Sequence, residues 1–320
     1  VELPTQLDRL EVIVVVDNSV DVSDPQRQDV FTPQKWTDRK TARIDRLLAG
    51  HGLSLLLCAK SGTTTRRVLY DTGPSAQLFK NNVDALGLDL SDIDALVISH
   101  GHGDHLGGIP AMLKLVRRRP LPVYIHPRTL ERKAIVVKDR DGEHMRDANS
   151  ATTSSSLKAA GVNLMIASTP VPVADRLFMT TGQILRTTSY ETGFSGHKIR
   201  IDGKWVDDQP VTEDMALFAR VRGKGIVVVS GCSHAGIANI VLHVRSLTGN
   251  EPISAIVGGL HLTGANRSLA EQTARQLKTI RPGLIAPCHC TSWTARFVLH
   301  EAMPEAYTPV GVGTKIVIEA

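Results

Sequence analysis

The chain has 320 residues, 42% of them apolar and 22% charged, with a formal net charge of +5. That length buries a substantial core, and no apolar run approaches the roughly 20 residues of a membrane-spanning helix. The modest positive balance suits either a small anionic substrate or a merely solvated basic surface, and no recognised nucleic-acid-binding motif accompanies it.

Aromatics make up only 4% of the chain, so the core falls to Val, Leu, Ile and Ala. Residues 10–16 are nearly all apolar and β-branched, which reads as a buried strand. Residues 19–50 are polar and interrupted by Pro25 and Pro33, an insertion with a short helix around 42–48. Residues 53–59 and 67–70 read as a strand pair about the Ser61-Gly62-Thr63 turn. Asp71-Thr72-Gly73-Pro74 then opens a helix that carries Leu78, Phe79, Val83 and Leu86 at helical spacing. Residues 95–99 form the next strand, 109–116 a helix, and 122–125 a strand ending at His126. Arg117-Arg118-Arg119 closes that helix, where positive charge is favourably placed.

Residues 128–157 are rich in charge and then in Ser and Thr. They are the candidate flap over a site, the alternative being a disordered surface excursion. In the second half, strands are expected at 163–167, 172–174, 182–187, 216–221 and 225–230. Helices follow at 237–246 and 269–280, with strand-like runs at 255–257 and 284–286. Strands first, then alternating strand and helix, in two halves, fits one α/β domain over residues 1–320, built as a four-layer αββα sandwich.

Directly after residues 95–99 comes His100-Gly101-His102-Gly103-Asp104-His105. Imidazole and carboxylate are ligands that a borderline-soft divalent ion prefers, and the glycines let the backbone turn tightly. His100 and His102 can lean on one ion, Asp104 and His105 on a second. Gly231-Cys232-Ser233-His234-Ala235-Gly236, Gly258-Gly259-Leu260-His261-Leu262 and Pro287-Cys288-His289-Cys290-Thr291 each set a histidine after an apolar run. The four cysteines, Cys58, Cys232, Cys288 and Cys290, form no disulfide framework. They read as the reduced thiols of a cytoplasmic enzyme.

Ser99-His100-Gly101-His102-Gly103-Asp104-His105-Leu106-Gly107-Gly108 resembles the metal-binding signature of the metallo-β-lactamase superfamily. Val68-Leu69-Tyr70-Asp71-Thr72-Gly73 resembles its first motif. Together with His51-Gly52-Leu53-Ser54 and the three later histidine segments, the set is similar to the branch around 7,8-dihydropterin-6-methyl-4-(β-D-ribofuranosyl)aminobenzene 5′-phosphate synthase. The resemblance implies a metallo-β-lactamase αββα fold whose active residues lie in loops along one sheet edge. It implies two divalent metal ions, Zn2+ first, with Fe or Mn as alternatives. His100, His102 and His234 would hold one, and Asp104, His105 and His289 the other, with Asp104 and His261 taking part in catalysis.

His261 is read as an acid or substrate contact, or as exchanging roles with His234 or His289. Asp71 would orient ligands through hydrogen bonds. Many superfamily members place an aspartate between the metals, where this chain has Cys232 and Ser233. Cys232 is either a thiolate ligand or a small buried residue beneath the site, and His234 is favoured as the ligand. His51 is read as either near the pocket or structural. His126, His144, His197, His243 and His300 are read as structural or solvated. The implied activity is that of a metal-dependent hydrolase using a metal-bound hydroxide on an ester or phosphoester. A dihydropterin diphosphate-dependent synthase is the alternative, and a lactonase or β-lactamase comes after it. The expected partner is a small anionic substrate, and self-association is left open.

Overall fold

The computed structural model describes residues 2–22, 27–38, 40–149, 152, 154–264 and 267–320. Two large mixed sheets pack face to face. The first runs Val162–Ile166, Leu121–Ile125, Ala95–Val97, Thr64–Tyr70, Ser54–Ser61, Arg9–Val16, Lys315–Glu319, Val30–Phe31. The second runs Pro172–Val173, Phe178–Thr180, Leu217–Val221, Gly225–Ser230, Ile253–Gly259, Leu284–Cys288, with Gln6–Leu7 paired beside Leu217–Val221.

The period-two alternation of Arg9–Val16 sorts the layers. Val12 and Val14 enter the core between the sheets, with Leu55, Leu57, Leu217, Val227, Val229 and Val257. Ile13 and Val15 turn to the outer side, where Phe79, Val83, Ile109 and Met112 cover them from helices Ala76–Ala85 and Ile109–Leu115. On the second sheet, Val228, Ile256 and Ile285 are covered by Ile240, Val244, Leu277 and Leu299 from helices Ile237–Leu247, Arg267–Ile280 and Trp293–Ala302. Each such buried aliphatic side chain contributes about 1.5–3 kcal/mol. The result is the expected αββα sandwich. No helix among the described residues is long and apolar enough to cross a membrane.

The segment 128–157 is more ordered than its composition suggests. Lys133–Asp139 and Gly142–Asp147 form a β-hairpin, and Ser154–Ala159 is a helix. Residues 150, 151 and 153 lie outside the described ones. Lys133–Asp139 also pairs with His197–Ile201, and that strand with Lys204–Asp207, giving a third, four-stranded sheet. Gly142–Asp147 is exposed at every position, so it shows no apolar alternation. The strand expected at 182–187 is absent. There the backbone N–H groups of Thr187 and Thr188 donate to Asn239 Oδ1 at 2.7 and 2.8 Å instead of to a ladder. In residues 19–50 the structure has Val30–Phe31, the helix Pro33–Trp36 and a single 3₁₀ turn at Ile44–Arg46, in place of a helix over 42–48. Helix Trp293–Ala302 and strand Lys315–Glu319 had no counterpart in the sequence reading.

Ala95–Val97 runs parallel to Thr64–Tyr70 and to Leu121–Ile125. Gly225–Ser230, Ile253–Gly259 and Leu284–Cys288 are parallel to one another. The carboxyl ends of these strands therefore deliver Asp71, His100, Cys232, His234, His261 and His289 to one edge of the sandwich.

Candidate metal centre

The loop after Ala95–Val97 is held from three sides. Asp71 Oδ1 accepts from Ser99 N at 2.8 Å, and its Oδ2 accepts from Ser99 Oγ at 2.6 Å. Thr72 Oγ1 donates to the His105 carbonyl at 2.9 Å. Gly101 N donates to the buried Glu213 Oε1 at 2.9 Å. A Cβ at Gly101 would collide with the Thr129 carbonyl oxygen and stand 2.9 Å from Lys133 Cε. Gly101→Ala is therefore expected to cost several kcal/mol, about 1–3 or more from overpacking alone. A thermal midpoint equal to that of the parent would contradict this packing argument.

His100 Nε2 and His102 Nδ1 stand 3.0 Å apart, and His234 Nε2 is 3.2 Å from each. A tetrahedral ion with bonds of about 2.0–2.1 Å sets its ligand atoms about 3.3 Å apart. Neutral imidazoles carry one N–H each, so three nitrogens this close cannot all be satisfied by one another. A cation among them satisfies all three. Burial, and after it the neighbouring imidazoles, push His100 and His234 well below the usual histidine range. Burial does the same to His102, with Asp104 opposing it. All three are neutral near pH 7, the form that binds metal.

The second cluster lies beside the first. Asp104 Oδ2 is 3.2 Å from His289 Nε2 and 3.7 Å from His105 Nε2. His289 Nε2 is buried and makes no hydrogen bond. Burial opposes the charge on Asp104, but the adjoining His105 and His289 hold its carboxyl well below the usual range. His105 Nδ1 contacts Asp71 Oδ2 at 2.6 Å. Burial disfavours the His105 imidazolium, yet Asp104 and Asp71 outweigh it and raise its pKa to about 9. A histidine raised from about 6.5 contributes stability that is complete below pH 6.5 and lost as pH rises through about 9. Metal-free protein is thus expected to have a lower unfolding midpoint at pH 9.5 than at pH 6.5. Metal-loaded protein should not follow, because the ion replaces the proton. A flat profile for chelated protein across this window would count against the assignment.

Several residues hold these candidate ligands without joining them. His102 Nε2 lies 3.0 Å from His197 Nε2, and His197 Nδ1 lies 3.0 Å from the Asp208 carbonyl oxygen. With His102 Nδ1 turned to an ion, its Nε2–H donates to His197, whose Nδ1–H donates to Asp208. His197 was read from sequence as structural or solvated; it is fully buried and braces His102. No motif flags it, because it comes from the third sheet. Asp17 Oδ1 accepts from His289 N at 2.5 Å. Asn18 joins two imidazoles, with Oδ1 2.9 Å from His289 Nδ1 and Nδ2 3.0 Å from His51 Nδ1. His51 is accordingly at the site, its Nε2 3.6 Å from Asp104 Oδ2. His261 adopts a left-handed backbone, φ 48°, and its ring centroid is 4.2 Å from that of His234. Phe194, also unflagged, stacks on His234 at 5.3 Å. His51, His261 and Phe194 line a cleft of about 410 Å³, together with His102, Asp104, His234 and, from the end of the hairpin, Arg146 and Asn149.

Residues 66–205 match the model of a beta-lactamase superfamily domain. A crystal structure of a metal-dependent hydrolase of the β-lactamase superfamily superposes with a TM-score of 0.72 at 22% identity. The match covers 97% of this chain and 100% of that one. This chain has the metallo-β-lactamase fold. Its similarity to a 7,8-dihydropterin-6-methyl-4-(β-D-ribofuranosyl)-aminobenzene-5′-phosphate synthase of Methanocaldococcus jannaschii is 27% identity over 267 residues, 82% of this chain and 88% of that protein. An uncharacterized protein of the same organism is 29% identical over 266 residues, 83% and 93% of the two chains. In this metallo-β-lactamase-fold protein, the matched domain model covers the loop His100–His105 and the hairpin that overhangs it, and it stops before the segments that bring His234, His261 and His289.

Proposed function

We propose that this protein is a cytoplasmic, dinuclear metal-dependent hydrolase acting on a small anionic ester or phosphoester. The observation that carries the reading is the convergence of His100 Nε2, His102 Nδ1 and His234 Nε2 to within 3.2 Å of one another. Asp104, His105 and His289 are the ligands we assign to the second ion. Two divalent ions there, zinc first, would acidify a water and offset the negative charge of the substrate.

The chain's own residues do the rest. Arg146 on the hairpin supplies positive charge at the cleft wall, which Phe194 and Thr263 also line. Asp104, kept ionised by its imidazole neighbours, holds charge at the cleft floor. His261 has a buried Nδ1 without a hydrogen-bond partner and is the group we assign to protonate the leaving oxygen. His261→Ala is expected to retain its metal while losing about 10²–10⁴-fold in turnover, the usual worth of a positioned proton donor. Loss of metal in that variant would instead make His261 a ligand. The free thiols of Cys58, Cys232, Cys288 and Cys290 are compatible with a reducing compartment.

The test is elemental analysis of protein purified without chelator, alongside hydrolysis of bis(p-nitrophenyl) phosphate. About two ions per chain and turnover abolished by chelation are expected. One ion or none after repletion would overturn the dinuclear reading. A second reading is favoured by the similarity to the synthase at 27% identity: transfer from a dihydropterin diphosphate, with the ions holding its anionic group. Release of diphosphate from that substrate, dependent on the aminobenzene co-substrate, would move the assignment from hydrolase to transferase.

A further inference from the structure

Cys232 Sγ lies 3.2 Å from His105 Nε2. It groups with Asp104, His105 and His289 on one side and with His100 and His234 on the other, the ligand atoms of each set all within 4.8 Å. The sulfur thus stands beside all three ligands of the second set and two of the three of the first. We propose that Cys232 supplies one thiolate shared by the two ions; this rests on the dinuclear reading above.

Charge argues for it. Two divalent ions held by neutral imidazoles and a single carboxylate repel each other with one anionic ligand to offset them. The segment carries no aspartate, and Cys232 is the group on it able to become an anion between the clusters. Packing argues for it as well. A Cβ on Gly259 would stand 3.4 Å from Cys232 Cα and 2.9 Å from Cys290 Sγ, so the bare backbone there lets the Cys232 main chain seat at the strand end beside Cys290. Cys290 has a different place: its thiol donates to the Cys232 carbonyl oxygen at 3.3 Å. It groups with Cys232 and His261 but with no member of the histidine loop. On loading, the Cys232 thiol proton leaves to solvent as the sulfur–metal bonds form. A shared thiolate also selects zinc or cobalt over manganese or magnesium, since a soft sulfur suits the former.

Cobalt titration of the apo chain reads this directly. A near-ultraviolet sulfur-to-cobalt charge-transfer band is expected to grow over both equivalents. It should persist in Cys290→Ser and vanish in Cys232→Ser, whose zinc affinity should fall about 100-fold, with folding checked by circular dichroism. A band that survives in Cys232→Ser, one lost in Cys290→Ser, or one that stops growing after the first equivalent would overturn the shared thiolate. About two bound ions and chelator-sensitive turnover without any band would sink this proposal alone and leave the dinuclear reading standing. Failure to bind cobalt or zinc at all would remove both.

Discussion

Substitution of His100, His102 or His234 singly by alanine is expected to strip one ion from each chain and lower turnover about 10³-fold or more, as loss of a main electrostatic element does. The three nitrogens are within 3.2 Å of one another, so removal of any one leaves two imidazoles where a catalytic zinc site usually keeps three protein ligands of matched geometry. The variants should still fold, because His102 and His234 face the cleft and the three rings pack on one another. His197→Ala separates ligation from bracing. It leaves all three ligands in place but takes away the acceptor 3.0 Å from His102 Nε2. Zinc affinity should then fall about 10–100-fold with the stoichiometry unchanged. Chelator competition and elemental analysis on the same preparations measure both. Equal metal content in parent and His100→Ala protein would refute the site.

The halves of this site were unequally legible in the sequence. His100 to His105 sit within six residues, and two glycines between them announce the turn. His234, His261 and His289 were findable because each follows a short apolar run, which becomes a strand carboxyl end at the same edge. The residues that fix those ligands follow another logic. His197 arrives from a strand of a third sheet whose edge strand, Gly142–Asp147, is exposed throughout. Lacking a buried face, that strand leaves no period in the sequence, and the segment reads as a charged excursion. Asn18 sits just past the strand Arg9–Val16 and bridges His289 to His51, 271 and 33 residues away in sequence. Such a polar bridge depends on tertiary placement alone. The apolar interior was readable for the opposite reason: Arg9–Val16, Gly225–Ser230 and Ile237–Leu247 each express burial in local pattern. The strand misread at 182–187 shows the limit of that rule. Its apolar content is right, but Asn239 takes the backbone donors that a ladder would have used.

Lys133→Met is expected to cost about 3–5 kcal/mol, the penalty for leaving a buried charge unpaired, and to weaken metal binding at a distance from any ligand. Lys133 and Glu213 are both wholly buried, with Nζ 3.1 Å from Glu213 Oε2. The ammonium also donates to the carbonyl oxygens of Arg128, Thr129 and Glu131 at 2.9, 3.0 and 2.7 Å. Burial pushes the Glu213 carboxyl up, while Lys133 and the Gly101 N–H pull it back. Glu213 Oε1 is the acceptor for Gly101 N, the peptide between His100 and His102. The ion pair therefore ties the start of the hairpin strand Lys133–Asp139 to the metal loop. Met keeps the length of the stem but strands the carboxylate and three carbonyls. The double variant Lys133→Met/Glu213→Leu removes both charges and should regain much of the stability, as replaced buried pairs often do. It should not regain zinc affinity, because with Glu213 gone Gly101 N has lost its acceptor. Unfolding midpoints and zinc competition on the three proteins separate the two effects. Recovery of both quantities together in the double variant would mean that the loop is positioned by packing, with no part played by the Glu213 hydrogen bond.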